Sequence, residues 1–326
     1  MRLAAVSKFL GLVGCLAFGS LSPEALAHEG PEHEIEELSR RMAMGGESAD
    51  LLLERAIEYR RLGRWAEAAT DLRRAARLAP ADPLLLRELA QAQIRGGRPD
   101  EAMATLRQAL RIRDLPGPER AAILMIRCEA HAIGRDWRRA LADCEEALRS
   151  DPMSVAAYLE RSALQQRLGR ARERIVGLEA GVRRTGAGVL AVEQVEALLD
   201  DRQWRKALGL IQPELESARL TGTWRIRRAR ALLGLGRRAE AEADLRHAIA
   251  EIDRRMPADR PEAALLLDRA LAWKLLGESG PARADDTAAT EAATEAGPGE
   301  AAAAGLRRLG PSGSRRAVRP SGRPGG

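Results

Sequence analysis

The chain has 326 residues, of which 45% are hydrophobic and only 3% aromatic, so it can bury a sizeable core made mainly of aliphatic side chains. Its formal net charge is +6, but residues 306–326 contain six arginines and no acidic residue. The excess positive charge therefore belongs to the C-terminal end and not to the folded part of the chain. We predict no nucleic-acid partner.

Residues 1–27 have the layout of a secretory signal peptide. Arg2 and Lys8 precede an apolar stretch of about ten residues, and Ala25-Leu26-Ala27 is a small-x-small cleavage site. This pattern predicts a periplasmic or secreted protein. A second interpretation is lipidation at Cys15, because Leu12-Val13-Gly14-Cys15 resembles a bacterial lipobox. The apolar run before that cysteine is shorter than the usual length of about 7–15 residues.

Residues 28–47 are predicted to form a polar leader and an N-terminal capping helix, the latter over His33–Met44. The leader begins H-E-G-P-E-H, and its two imidazoles are of a type that binds copper, nickel or zinc. Because nothing in the sequence fixes a geometry for such a site, we predict no metal site and no cofactor.

A short motif recurs along residues 48–284, beginning as G-R-W-A-E-A at residues 63–68. Most copies end about 34 residues after the previous one, and such a period predicts helix-turn-helix units that bury a core only by stacking on one another. The last residues of the copies are Ala68, Ala102, Ala140, Arg174, Ala207, Ala241 and Ala282.

The first unit shows how each pair of helices is predicted. Ser48 is the expected N-cap of a helix over Ala49–Leu62, and Gly63 ends that helix because glycine readily adopts a positive φ. A second helix is predicted over Trp65–Leu78, and Pro80 prevents it from continuing. The two longest intervals between copies, which end at Ala140 and Ala282, contain Pro-rich insertions that connecting loops accommodate at small cost.

This pattern resembles the tetratricopeptide repeat family over residues 48–284. The resemblance implies an all-α fold, a right-handed solenoid of about six to seven helix-turn-helix repeats. The fourth unit departs from the family pattern at Arg174 and Gly181, and the fifth has Pro213 inside its second helix. The first unit matches the family's positions 4, 8, 11, 20, 24, 27 and 32 with Leu52, Ala56, Tyr59, Ala68, Leu72, Ala75 and Pro80.

The resemblance also implies a concave groove that binds a protein or peptide partner. Within each first helix, a stripe of positions faces away from the second helix and mixes apolar with polar side chains. Such a stripe suits an extended peptide or a partner helix, although a merely solvated face is the alternative. The predicted groove residues are Leu53, Ile57, Arg60, Arg87, Gln91, Ile94, Met125, Glu129, Leu159 and Gln166.

Cys128 and Cys144 hold positions 8 and 24 of the third unit, which lie about level across its two antiparallel helices. Packed helix axes are roughly 8–10 Å apart, which leaves facing Cα atoms at a distance that a disulfide can bridge. We therefore predict a possible disulfide between Cys128 and Cys144. Two buried thiols that act as small apolar side chains are the alternative.

Three tryptophans recur in register, since Trp65, Trp137 and Trp204 each precede the position-20 alanine by three residues. A residue that recurs at one repeat position is better explained by the geometry of the unit than by a single ligand. We therefore assign these tryptophans to the scaffold.

The sequence contains no catalytic motif of the G-x-S-x-G, H-E-x-x-H or P-loop type. We expect a non-enzymatic protein-protein interaction scaffold of the bacterial cell envelope. The alternative is an assembly factor that associates with an envelope polymer or a membrane surface through a basic tail. That tail, residues 285–326, is rich in Ala, Gly, Pro and Arg and is predicted to be disordered. Membrane contact is expected only through the tail or through lipidation at Cys15.

Overall fold

The computed structural model describes residues 30–257 and 261–295, and every regular element within these ranges is an α-helix. The predicted all-α class of helix-turn-helix pairs is thereby confirmed. A capping helix, α1 (Pro31–Gly45), covers the predicted His33–Met44 and precedes seven consecutive helix pairs. The predicted signal peptide and residues 296–326 lie outside the described residues. Contacts divide the chain into one unit that ends at Ala109 and another that begins at Leu110.

The first unit contains α1 and two helix pairs. The pairs are α2 (Ala49–Arg61) with α3 (Trp65–Leu78), and α4 (Pro83–Arg95) with α5 (Pro99–Ala109). Each helix packs against the next one along the chain, which is the contact pattern of stacked repeats. Leu38, Leu52, Leu72 and Leu89 share one buried cluster that joins α1 to both pairs.

The second unit contains five helix pairs. They comprise α6 (Gly117–Ile133), α7 (Trp137–Ser150), α8 (Val155–Arg167), α9 (Ala171–Thr185), α10 (Gly188–Asp200), α11 (Trp204–Ser217), α12 (Gly222–Gly234), α13 (Arg238–Arg255), α14 (Ala263–Leu276) and α15 (Ser279–Glu295). Each helix again packs against its successor, and the first helices α8, α10, α12 and α14 also contact one another in that order. No helix in the described part of the chain is both long and apolar enough to cross a membrane.

Short polar side chains begin several of these helices. The Oγ atom of Ser48 accepts a hydrogen bond of 3.2 Å from the backbone N–H of Leu51, which confirms the predicted N-cap. Asp82, Asp136 and Ser154 cap α4, α7 and α8 in the same way. Each cap satisfies a backbone donor that the first turn of a helix leaves without a partner.

The turn between the two helices of a pair requires a left-handed residue. Gly63 has φ +71° at this position, as its predicted helix-ending role demands. The third and fifth pairs instead place Arg135 and Arg202 there, both with φ +58°. A residue with a Cβ is strained in this region, so these two turns store free energy that the glycine turns do not.

The fourth pair departs from the repeat pattern at Arg174 and Gly181 because its interior is built differently. Arg174 replaces the position-20 alanine, and its buried guanidinium donates hydrogen bonds to Asp200 Oδ2 at 2.9 Å and Glu193 Oε1 at 2.7 Å. A Cβ at residue 181 would lie 2.9 Å from Cδ1 of Tyr158. Glycine at this position therefore makes room for the tyrosine ring.

Pro213 lies inside α11, which nevertheless runs from Trp204 to Ser217. The proline removes one helical hydrogen bond and crowds the carbonyl group of Gly209, one turn earlier. The fifth pair keeps its two helices despite this local cost.

A buried ion pair between an arginine at position i and an aspartate at position i+16 joins the two helices of four pairs. The arginine belongs to the first helix, and the aspartate on the second helix is almost fully buried in each case. Because an uncompensated buried carboxylate is costly, each pair ties its two helices into one unit. The pairs are Arg55 with Asp71, Arg127 with Asp143, Arg228 with Asp244, and Arg269 with Asp285.

The last helix is longer than predicted. α15 ends at Glu295, so the predicted start of a disordered tail at residue 285 was wrong. Asp285 forms the ion pair of the seventh helix pair, and Ala289 and Ala293 are buried. The composition favoured disorder, but alanine is also the best helix former, and small side chains suffice to pack this helix against α14.

Candidate functional site

An open groove in the first unit lies where α2, the start of α3 and the start of α4 meet. Its volume is about 450 Å³. Two aliphatic side chains in it are open to solvent, since Ile57 is 42% exposed and Leu84 is 38% exposed. The groove is lined by Leu53, Ile57, Arg60, Arg61, Trp65, Leu84 and Glu88.

Positive charge exceeds negative charge at one side of this groove. Glu88 forms ion pairs with Arg60 and with Arg87, the latter at 3.4 Å from Nη2 to Oε1. Burial, together with the positive charges of Arg87 and Arg95, lowers the pKa of Arg60 from its ordinary value. The Nε atom of Arg60 is buried and has no hydrogen-bond partner. The groove thus combines an apolar floor with a donor that its own residues leave unsatisfied.

Three of the predicted groove residues, Leu53, Ile57 and Arg60, come together in this groove. Arg87 lies beside it through its contact with Glu88. Gln91 is half-buried, whereas Ile94 is only 6% exposed and so is not available as a surface contact. The residues predicted from the sequence therefore include three of the groove residues on α2 but not those on α4.

The four predicted residues of the second unit serve its own packing and hydrogen bonding. Met125 and Leu159 are half-buried and pack against a cluster of buried side chains shared by α6 and its neighbours. Gln166 donates a hydrogen bond of 3.2 Å to Asp200 Oδ2, and Glu129 is half-buried.

Sequence reasoning did not select four side chains that line the groove, Arg61, Trp65, Leu84 and Glu88. Trp65 packs close to Gly96 at the end of α4, where a Cβ added to the glycine would lie 3.5 Å from the Cβ of Trp65. It therefore contacts the scaffold as predicted and also forms part of the groove wall. Leu84 and Glu88 are contributed by the next first helix, so a stripe drawn on one helix at a time cannot include them.

The second unit has a comparable cavity of about 350 Å³ around Trp204, which holds the same repeat position as Trp65. Two of its charged residues, Asp200 and Arg230, are already paired. Arg230 forms ion pairs with Glu196 and, at 3.6 Å, with Asp200, and Asp200 also accepts from Arg174. The cavity is lined by Leu199, Asp200, Arg202, Trp204, Arg230, Leu233 and Leu275.

The third pair contains the two predicted cysteines and a histidine. Cys128 and Cys144 are fully buried as free thiols, with their sulfur atoms 2.9 Å apart. His131 Nδ1 lies 2.8 Å from Oδ2 of Asp143, the aspartate that also forms an ion pair with Arg127. Within residues 30–257 and 261–295, no three His, Cys, Asp or Glu side chains are grouped so as to hold a metal ion.

Comparisons with known proteins agree with this architecture. The family model described as tetratricopeptide repeat matches residues 53–116. A tetratricopeptide repeat protein from Parabacteroides merdae is 20% identical, and the alignment covers 74% of this chain and 92% of that chain with a TM-score of 0.53.

The C-terminal part of a tetratricopeptide repeat-containing protein from Cytophaga hutchinsonii is 15% identical. That alignment covers 71% of this chain and 91% of that chain, again with a TM-score of 0.53. A search of curated protein sequences found no match. Residues 53–116 thus match the tetratricopeptide repeat family, and the chain has the fold of tetratricopeptide repeat proteins.

Proposed function

We propose that the chain is a non-enzymatic protein-interaction module that binds a peptide or helix of a partner protein in the groove of its first unit. The observation that carries this proposal is the combination of exposed Ile57 and Leu84 with the partly exposed side chain of Arg60 in one groove. Exposed aliphatic side chains in a concave surface lose contact with water when a partner covers them. The partly exposed guanidinium of Arg60 can also donate to an acceptor that the partner brings.

The chemistry of the groove specifies the kind of partner segment. An aliphatic or aromatic anchor would pack on Ile57, Leu84 and Trp65, and burying such a side chain contributes about 1.5–3 kcal/mol. Arg60 and Arg87 share the carboxylate of Glu88, and the positive charge of Arg95 also acts on Arg60. An acidic residue next to the anchor would therefore be favoured, and a basic one disfavoured.

Selection of peptides tests this partner chemistry. A random peptide library would be selected against the full chain, and sequences with a large apolar residue flanked by Asp or Glu should become enriched. For one enriched peptide, Ile57→Ser and Arg60→Gln should each weaken binding about tenfold, which corresponds to about 1.4 kcal/mol.

A matched control is available on a different surface. Leu210 on α11 is 39% exposed, close to the exposure of Ile57, and does not line the groove. Leu210→Ser should leave the affinity unchanged. The proposal fails if enriched peptides carry no acidic preference, or if the control weakens binding as much as the groove variants.

We also propose that this module acts in the bacterial cell envelope, because residues 1–27 have the pattern of an export signal. Cell fractionation of the full chain and of a chain that lacks residues 2–27 tests this location. The shorter chain should stay in the cytoplasm. If both chains are found there, the proposed location is wrong.

The alternative function, association with an envelope polymer or a membrane surface, depends on the arginines of residues 306–326. Deleting these residues separates the two functions. Groove binding should survive the deletion, whereas loss of envelope retention with intact peptide binding would favour the alternative.

A further inference from the structure

The inner surface of the third helix pair contains two thiols in direct contact. Cys128 on α6 and Cys144 on α7 have no solvent-exposed surface, and their sulfur atoms are 2.9 Å apart. Bonded sulfur atoms in a disulfide are about 2.05 Å apart, so a small movement of the two side chains would bring them to bonding distance. Neither helix needs to be displaced as a whole.

Packing alone does not require cysteine at these two positions. In the first pair the same positions hold Ala56 and Leu72, and in the sixth pair they hold Ala229 and Leu245, all of them buried. A small residue opposite a large aliphatic one therefore fills this space elsewhere. The third pair replaces both by thiols that face each other.

We propose that Cys128 and Cys144 are a site of oxidative modification, where a disulfide forms within one repeat and covalently joins α6 to α7. The reaction is a thiol–disulfide exchange with a small or protein disulfide as oxidant. One cysteine thiolate attacks a sulfur of the oxidant and releases one thiol. The second thiolate then attacks the resulting mixed disulfide and releases the other thiol. Overall, two protein thiols and one oxidant disulfide give one protein disulfide and two free thiols.

Burial decides when this reaction takes place. The hydrogen bond with Cys144 and burial both raise the pKa of the Cys128 thiol, which disfavours the thiolate that attacks the oxidant. An oxidant also has no path to either sulfur once α6 and α7 have packed. The bond therefore forms while the pair is folding, and the folded pair then protects it from reductants.

Refolding with a defined oxidant tests the proposal. The full chain with Cys15→Ser, which leaves only Cys128 and Cys144, would be unfolded, reduced and refolded in a mixture of oxidised and reduced glutathione. We expect no titratable thiol after denaturation, a mass 2 Da below that of the reduced chain, and a bridged proteolytic peptide. The oxidised chain should melt on the order of 5–10 °C above the reduced chain, because the bond restricts the unfolded state.

Two comparisons make the outcome unambiguous. The double substitution Cys128→Ala and Cys144→Leu places the residues of the first pair in the third, and its melting temperature should be the same with and without glutathione. The folded, reduced chain should retain its thiols in the same mixture for much longer than the refolding chain. Retention of both thiols after refolding, glutathione adducts instead of a bridge, or an oxidised chain no more stable than the reduced one would overturn the proposal.

Discussion

The groove of the first unit and the cavity of the second unit are built around tryptophans at the same repeat position, Trp65 and Trp204, but their charges are arranged differently. In the second unit, Asp200 takes contacts from both Arg174 and Arg230, and Arg230 also binds Glu196. In the first unit, Arg60 and Arg87 share the carboxylate of Glu88, and the Nε atom of Arg60 has no hydrogen-bond partner.

The difference shows that repeat position alone does not identify a binding site. The same helix-turn-helix geometry leaves a hollow beside the tryptophan in both units, so the hollow follows from the scaffold. What distinguishes the two is whether the surrounding polar groups are already satisfied. A network whose polar groups are all paired stabilises the stacked repeats. A network with an unpaired group can gain a further interaction when a partner binds.

The largest expected effect comes from breaking the closed network. Arg174→Ala removes the buried guanidinium that donates to both Asp200 and Glu193 and should lower the free energy of unfolding by about 1.5–3 kcal/mol. Arg60→Ala in the first unit should lower it by about 1 kcal/mol or less, because Arg60 is partly exposed and Glu88 keeps its ion pair with Arg87. Urea titrations of both variants measure the difference.

Arg172→Ala, at an exposed position on the same helix as Arg174, is the control and should change stability by less than about 0.5 kcal/mol. Equal losses for the variants of Arg174 and Arg60 would remove the contrast between the two units.

The two tryptophans provide a second comparison. A Cβ at residue 234 would lie 2.3 Å from Cε2 of Trp204, so Gly234→Ala must displace the ring and should cost about 1–3 kcal/mol. At Gly96 a Cβ would lie 3.0 Å from the carbonyl oxygen of Ala92 and 3.5 Å from Trp65 Cβ, so Gly96→Ala needs a smaller adjustment and should cost about 1 kcal/mol or less. Thermal unfolding followed by circular dichroism would show whether Trp204 is the more tightly held of the two.

Backbone strain at the turn between paired helices should change stability by a smaller amount, and the substitutions in the two units should have opposite signs. Arg202 has φ +58° where the first unit has Gly63, so Arg202→Gly should raise the free energy of unfolding by about 1 kcal/mol. Gly63→Ala should lower it by a similar amount. Urea titrations would detect both changes. A gain on replacing Gly63 would mean that the positive φ at this turn imposes no cost.

The smallest effect concerns the one pair that has the arginine of the ion pair without its aspartate. In the fourth pair, Arg161 and Gly177 stand where the first pair has Arg55 and Asp71, and burial lowers the pKa of Arg161. Gly177→Asp should restore the ion pair and add about 0.5 kcal/mol, since the guanidinium of Arg161 can move aside for the new side chain. Gly177→Asn, the neutral control, should add less, and equal gains would rule out a charge effect.

Much of the fold was predictable because it depends on local signals that repeat. Ser48 as an N-cap, Gly63 at the turn and the small residues at position 20 each act within one or two turns of helix. The recurrence of such signals from one repeat to the next identifies the seven pairs. The regular arginine-to-aspartate spacing was equally visible in the sequence, as Arg55 with Asp71 illustrates, but charges on helices are so common that it did not stand out.

The groove could be predicted only in part because it forms between repeats. Leu53 and Ile57 follow from the face of α2, whereas Leu84 and Glu88 reach the groove through the way α4 packs beside it. Sequence periodicity gives the direction of a side chain on its own helix and not its distance from a neighbouring one. The burial of Ile94 was missed for the same reason.

The location of the ion pairs also bears on how such a chain can change its length over generations. Both members of a pair such as Arg55 with Asp71 belong to one repeat, so duplicating or deleting that repeat leaves no charged residue without its partner. Arg174 instead reaches from the fourth repeat to Glu193 and Asp200 in the fifth. Because Arg230 of the sixth repeat also binds Asp200 and Glu196, the fourth, fifth and sixth repeats should be inherited together as one block.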